Sequence, residues 1–347
     1  MHVENMNHQT PLVSICIPTF NAEKTIRETL VSILNQSYKN LRIHVVDNAS
    51  EDNTLSIVES FTDERIFIHR NPINVGGEGN FNRCIQIASG KYTAIFHADD
   101  VYEPEIVESE VNFLEAHPDV GATFTAAGLI DEDGHPIGSI KFPGEILAAD
   151  GIHDFPALMK AILRHSNFLV CPSAMARTSV YQDEIKHWRG DLFRSSADLD
   201  VWLRIATMHN VGFIPAPLLR YRISSNQFSA RIRLQTERPD FFLVIDHYMA
   251  KPAVRQLLGK QDFENYNRLD RRDRVMRAVN CIITGQMSSA PALLDDIFSW
   301  SSIKASIQTK RGLGVICAGM YLKLLLWLKL ESFGQRSLQC LKQLMHK

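Results

Sequence analysis

Five polar clusters in this chain have residue types suited to holding a phosphorylated ligand and moving a proton. Pro18-Thr19-Phe20-Asn21 follows a short apolar run. A loop here can lay backbone and small polar side chains against a nucleotide base; a plain turn with Asn21 capping the next helix is the alternative. Asp47-Asn48-Ala49-Ser50-Glu51-Asp52 follows a second apolar run. A carboxylate at Asp47 can accept a hydrogen bond from a base imide or a ribose hydroxyl, whereas Ser50 and Asp52 suit capping of the helix that comes next. Between Asn71 and Asn82 lie Asn74, Gly76, Gly77 and Gly79. Glycines let backbone approach a ligand closely, but the stretch lacks the lysine of a P-loop and is no dinucleotide fingerprint, and a flexible loop would read the same way.

His97-Ala98-Asp99-Asp100 puts two acids side by side. That is costly unless a cation or solvent compensates them, and hard oxygen ligands suit Mg²⁺ or Mn²⁺ bridging to a diphosphate; capping by Asp100 ahead of Glu103-Pro104 is the competing role. In Ser196-Ala197-Asp198-Leu199-Asp200-Val201-Trp202-Leu203-Arg204, Asp198 falls near a helix start, where the dipole favours its ionised form. Such a carboxylate can serve as general base on an acceptor hydroxyl. Asp200 fits an acidic first turn of a helix whose core face is Trp202, Leu203 and Ile205. Leu219-Arg220-Tyr221-Arg222 reads as a basic strand close to any phosphates.

These clusters need a scaffold. Val13–Ile17, Leu41–Val46, Arg65–His69 and Tyr92–Phe96 are short apolar runs, read as buried strands. Glu23–Asn35, Asp52–Phe61 and Phe81–Ala88 carry helical spacing between them. Alternation of this kind predicts an α/β fold with a Rossmann-like parallel sheet, which binds ligands at the carboxyl ends of its strands. Thr19, Asn21, Asp47, Asn48, Asp99 and Asp100 all fall there. Farther on, Gly121–Ile130 and Pro136–Ile140 read as a hairpin about an Asp-Gly turn. Lys141–Asp154 is loop-like, Phe155–Arg164 and Ala197–His209 are helical, and Val170–Arg177, Gly212–Ile214 and Leu218–Ile223 are strands. Beyond about Gln227 the chain reads as helical.

The 347 residues suit one large domain and an extension, and 45% apolar content suffices for a core. A net charge of −2 excludes the whole chain as an electrostatic binder of nucleic acid. Six scattered cysteines without a Cys-x-x-Cys pair point to buried free thiols in a reducing compartment. Met1 to Thr10 lacks the marks of a signal peptide, so a cytoplasmic enzyme is the expectation.

Jointly, from about Val13 to Ser229, these motifs resemble family 2 of the inverting glycosyltransferases, with the glycosyltransferase A fold. The matching residues are Pro18 to Asn21; Asp47; Asn74, Gly76, Asn82, Ala88, Gly90 and Tyr92; His97 to Asp100; and Ala197-Asp198 ahead of Asp200 to Arg204. The resemblance implies a catalytic domain over 11–229, with a donor-binding half to about 118 and an acceptor half after it, and a helical extension over 230–347. It implies a nucleotide-diphosphate sugar donor and a saccharide or lipid-linked acceptor in surface polysaccharide or glycolipid assembly. Pro18, Thr19, Phe20, Asn21, Asp47, Asn74, Gly76, Asn82, Ala98, Asp99 and Arg222 would bind substrate, Asp99 would hold the Mg²⁺ or Mn²⁺, and Asp198 would be the base. His97 replaces the first acid of the family's metal motif, Ala197 replaces a Glu, and Ser224 stands where many relatives have His. These departures leave metal use open and keep a catalytically silent sugar-nucleotide binder as the alternative; a nucleotidyltransferase would need a basic glycine loop near the first strand, and none is there. Finally, Leu313 to Leu330 is apolar but interrupted by Lys323 and Lys329, among Lys304, Lys310, Arg311, Arg336, Lys342 and Lys347. That pattern suits an anionic membrane surface or a packed helix with a solvated basic side.

Overall fold

The computed structural model describes residues 10–224, 234–306, 310–328 and 330–344. The expected domain boundary at 229, most of the amino-terminal decapeptide, Lys329 and Lys347 lie outside them. The chain divides into two compact units, residues 1–161 with 167–224, and residues 162–166 with 225–347.

The first unit is built on one ten-stranded sheet. Strands β1 (Val13–Thr19), β2 (Leu41–Asp47), β3 (Ile66–Arg70) and β4 (Tyr92–Ile95) pair in parallel in the order β3-β2-β1-β4. Helices α1 (Ile26–Leu34), α2 (Thr54–Glu59) and α3 (Gly76–Ile87) connect them. Val13, Ile15, Cys16 and Ile17 are all fully buried, as a strand covered on both faces requires. β1 runs through Pro18, past the expected end. Cys16 C=O accepts from Phe96 N–H and Thr19 C=O from Asn48 N–H, so alternate residues address alternate neighbours. Pro18 therefore addresses the β4 side, where its missing N–H ends the pairing after Cys16.

The sheet is mixed rather than wholly parallel. β9 (Ala174–Arg177) runs antiparallel between β4 and β6 (Val120–Ile130). Beyond them come β10 (Asn210–Arg222), parallel to β6, and the two-residue β5 (Val101–Tyr102), antiparallel to β10. The hairpin strand β7 (Pro136–Ile140) pairs with β6 as expected. In the segment expected as loop, β8 (Ile152–His153) pairs with β10. The two strands anticipated around 212 and 220 are one, because Pro215 and Pro217 shift the register instead of ending the pairing. The strand expected from Val170 begins only at Ala174, since Cys171–Ser173 with Pro172 forms a 3₁₀ turn. Helix α3 starts at Gly76, not Phe81, so the glycine run is a helix start rather than a loop. Helix α4 (Ile106–Ala116) follows Glu103-Pro104, has its apolar face interrupted by Glu110 and has Glu105 at its N-cap, so Asp100 does not cap it. Helices α5 (Phe155–His165), α6 (Gly190–Phe193) and α7 (Ala197–Met208) complete the set.

The second unit is helical among its described residues, with helices over Asp240–Ala250, Lys260–Ile283, Lys310–Trp327 and Glu331–Leu344 and three shorter ones. Its own core joins Val275, Ala278, Cys281, Ile297, Ile316 and Leu322. No described helix is long and apolar enough to cross a membrane. Cys16, Cys84 and Cys281 are buried free thiols as expected, Cys171 is partly buried, and Cys317 is exposed, a correction to the uniform expectation.

Candidate functional site

The parallel register sets Thr19 at the end of β1 beside Asp47 at the end of β2. Asp47 is 1% exposed. Its Oδ2 accepts from Ser50 N–H (3.1 Å), while Oδ1 is buried without a partner among the described residues. An unmet buried carboxylate oxygen costs roughly 1–3 kcal/mol, which a ligand donor would recover. The loops after the two strands are laced together at two left-handed residues, Asn21 (φ 46°) and Ala49 (φ 61°). Asn21 N–H donates to Ser50 Oγ (3.0 Å), and Glu51 N–H donates to Asn21 Oδ1 (2.9 Å). Asn21 thus ties the two loops and does not cap α1. Ser50 likewise is no cap, whereas Asp52 Oδ1 does accept from Thr54 N–H at the start of α2 (2.9 Å). Phe20 stands 47% exposed at the lip.

Asn48 joins this crevice to α3. Its Nδ2 donates to Asn74 Oδ1 (2.9 Å) and Gly76 C=O (3.2 Å), and its Oδ1 accepts from Asn71 Nδ2 (3.0 Å) and Val75 N–H (2.9 Å). Asn74 Oδ1 also accepts from Gly76 N–H (2.8 Å). Asn74 and Gly76 are therefore placed as a helix-start clasp, with Gly76 at φ 77°, a conformation that glycine takes without strain. Asn82, nearly two turns along α3, accepts from Trp188 N–H (2.8 Å).

The Ala98-Asp99-Asp100 turn is held from two sides. The hydroxyls of Thr25 and Thr29 bond Ala98 C=O (2.9 and 3.1 Å), and Thr29 also reaches Asp100 C=O (2.8 Å). From β10, Arg222 N–H donates to Asp100 Oδ1 (2.8 Å) and Arg222 Nε to Asp99 C=O (2.9 Å). The rest of the guanidinium meets Asp131 C=O, Glu132 C=O and the Glu28 carboxylate. Arg222, 3% exposed, is thus directed at the turn that carries the acids, and Arg220 pairs with Glu103 (2.6 Å). Asp100 is fully buried, and burial followed by the Asp99 charge pushes its pKa well up. Its Oδ2 has no hydrogen-bond partner among the described residues and lies 3.9 Å from His97 Nδ1; burial lowers the pKa of that imidazole. Ligand atoms of His97, Asp99 and Asp100 all lie within 4.8 Å of one another. A buried, orphaned carboxylate oxygen beside a second acid and a neutral imidazole is a donor set that fits a small hard cation.

Asp198 opens α7 and accepts from Leu199 N–H (2.7 Å). It is half-buried, and desolvation raises its pKa from 3.8 to about 6. The Cys171 thiol is pushed well up by burial and then by the charges of Asp198 and Asp100 together. Trp188 braces this end, its ring 4.6 Å from Phe81, which in turn meets His97 edge-on at 5.7 Å. Asp200, two residues after Asp198, is fully buried between Arg189 (2.9 Å to Nε) and Arg204 (3.0 Å) and faces away from this chemistry.

Pro18 to Asn21, Asp47, Asn74 and Gly76 share the crevice at the ends of β1 and β2, and Ala98, Asp99 and Arg222 meet at the end of β4. Sequence reasoning missed Asn48 as the hub, Thr25 and Thr29, Cys171 and Trp188. The asparagine density from 71 to 82 was the one available signal; the threonines look like ordinary helix residues.

The sequence profile described as Glycosyl transferase family 2 matches residues 14–185, a stretch that ends before Asp198. A protein of Haemophilus influenzae named as an uncharacterized glycosyltransferase is 31% identical over 227 residues, 63% of this chain and 68% of its own. An Escherichia coli enzyme named as a UDP-Glc:alpha-D-GlcNAc-diphosphoundecaprenol beta-1,3-glucosyltransferase is 36% identical over 104 residues, 30% of this chain and 41% of its own. Among solved structures, a Pyrobaculum calidifontis mannosyltransferase in complex with GDP-Man and Mn²⁺ aligns over 93% of this chain and 87% of its own, with TM-score 0.53 and 18% identity. That level of identity speaks to the fold alone.

Proposed function

Since the chain belongs to glycosyltransferase family 2, we propose that it moves a sugar from a nucleoside-diphosphate sugar to an acceptor hydroxyl in one inverting displacement. The observation that supports this reading is the His97, Asp99 and Asp100 cluster, with ligand atoms within 4.8 Å of one another and Asp100 Oδ2 buried without a partner among the described residues, just beyond the end of β4.

In this reading the orphaned Oδ1 of Asp47 accepts from the base imide or a ribose hydroxyl, between the Pro18 to Asn21 loop and the Asn48 clasp. Asp99, with His97 and Asp100, would hold Mg²⁺ or Mn²⁺, which supplies charge neutralisation at the diphosphate when bound. Arg222 fixes the backbone that aims Asp99. Asp198 takes the proton as the acceptor oxygen bonds to the anomeric carbon, and the bond to the diphosphate breaks with its electron pair leaving on oxygen. General-base help of this kind is worth about 10²–10⁴-fold. The acceptor is a saccharide or a lipid-linked saccharide in surface-polysaccharide or glycolipid assembly at the cytoplasmic side of a membrane. The E. coli relative's named acceptor, a sugar-diphosphate lipid, supports that class.

The test is nucleotide release from a panel of UDP- and GDP-sugars with and without Mn²⁺, for wild type and Asp198→Asn. Donor-dependent release that the variant loses, with donor affinity kept, is the expected result. Equal turnover by the variant would remove Asp198 from the mechanism, and no release from any donor would remove the enzyme.

A further inference from the structure

Helix Lys310–Trp327 of the second unit is apolar on two sides, and only one is covered. Gly312, Ile316, Gly319, Leu322 and Leu325 are buried, the last four toward the unit's own core residues. Leu313, Cys317, Met320, Leu324 and Trp327 repeat at steps of three and four, so they form a single stripe along the helix. All five are exposed, Met320 by 52%, Leu324 by 51% and Trp327 by 78%. Leu328 continues the stripe at 46% exposure. A soluble surface rarely keeps so continuous an apolar strip without a use for it.

The charge of the surrounding sequence points to the occupant. Residues 301–347 hold eight Lys and Arg against the single acid Glu331, a local charge of +7 in a chain of net −2. Lys323 is exposed on the flank of the strip, with its ammonium 4.8 Å from the Phe298 ring. A groove of about 570 Å³ runs beside it, lined by Leu324, Leu326, Trp327, Pro291 and Asp295. An apolar strip amid strongly basic sequence, with an exposed tryptophan near its end, has the chemistry of a helix lying in a bilayer interface. A second copy of the chain would bring the same positive charge face to face. Crossing the bilayer is ruled out for this helix, because its other side is already spent on the unit's core.

We propose that the Leu313 to Leu328 strip docks on an anionic lipid bilayer, with Met320, Leu324 and Trp327 entering the acyl boundary and Lys323 among the headgroups. The exposures of this strip stand whether or not the sugar-transfer reading holds, and the assay below involves no donor.

The full-length protein is floated with vesicles of phosphatidylcholine alone and of phosphatidylcholine with phosphatidylglycerol. Binding to the anionic vesicles, at least about tenfold over the neutral ones, is expected, and it should weaken as salt rises from about 0.1 to about 0.5 M. Of the four tryptophans, Trp188 and Trp202 are buried while Trp300 and Trp327 are exposed, so vesicles should shift the emission to the blue, and Trp327→Phe should reduce that shift. Leu324→Glu should lower vesicle binding about tenfold or more with an unchanged melting temperature, because the side chain touches solvent. Sedimentation of the free protein decides the rival: if wild type is a dimer that Leu324→Glu makes monomeric, the strip is a self-association surface and the proposal fails. Equal flotation with both vesicle types, or full binding by Leu324→Glu, also overturns it.

Discussion

Replacing Asp198 by Asn tests catalysis and stability at once, and the two should move in opposite directions. Desolvation lifts the Asp198 pKa from 3.8 to about 6, so the folded protein holds this proton more tightly than the unfolded chain does. Between about pH 4 and pH 6 the folded state therefore binds more protons, and its stability falls as pH rises through that window. Above it the full cost of the buried charge remains, at most about 3 kcal/mol for a shift of about two units. Asparagine keeps an acceptor for Leu199 N–H, now 2.7 Å from Oδ1, but carries no charge to desolvate. The variant should be more stable than wild type at pH 7.5 by about 1–3 kcal/mol, several degrees in melting temperature for a unit of this size. Near pH 4 that difference should vanish. Donor turnover should drop about 10²–10⁴-fold at neutral pH, and wild-type kcat/KM should fall about tenfold per pH unit below about pH 6. Thermal melts at the two pH values beside a pH–rate profile read all of this. A variant that is less stable at pH 7.5, or a gain that persists unchanged at pH 4, would show that Asp198 is not a desolvated carboxylate and would remove the physical basis for calling it the base.

Asp200→Asn should do the reverse, destabilising by about 3–5 kcal/mol in thermal melts, because it leaves Arg189 and Arg204 around a neutral group. Asp99→Ala should weaken donor binding in calorimetry run with Mn²⁺ and change little without it; equal affinities under both conditions would take Asp99 away from the metal. Arg222→Met should cost about 3 kcal/mol or more, since the Asp99, Asp131 and Glu132 carbonyls lose one buried donor group. Gly90→Ala should lower the melting temperature markedly, because a Cβ there would sit 2.4 Å from Leu12 C=O.

Much of this organisation was readable in advance because it follows from short-range rules. Apolar runs bounded by Pro18, Asp47 and His97 had to be buried strands, and parallel pairing then brought their polar ends to one edge. The hairpin over β6 and β7 followed from its Asp-Gly turn. What was not readable depended on partners distant in sequence. Nothing local says that β9 inserts antiparallel between β4 and β6, because both of its partners lie far off in the chain. The glycine run looked like a loop because glycine disfavours helix, yet Asn48 and Asn74 satisfy the first turn of α3 and offset the propensity. Arg222 looked like a phosphate ligand because its charge is visible in sequence while its partners are not: Glu28 lies 194 residues away.

Asp198 and Asp200 condense the same point into one helical turn. Residues two apart on a helix differ in direction by about 200°, so if one faces the crevice the other must face the interior. Asp200 in the interior is tolerable only with cations, and Arg189 and Arg204 supply them. Asp198, on the other side of the turn, receives among the described residues the Leu199 N–H and its own backbone as stabilising partners. A carboxylate given two arginines is held ionised and structurally committed, whereas one denied them keeps a pKa near 6 and remains able to take up a proton at neutral pH. The difference between a structural acid and a base poised for transfer is therefore made by the neighbours, and swapping partners, not residues, would swap the roles.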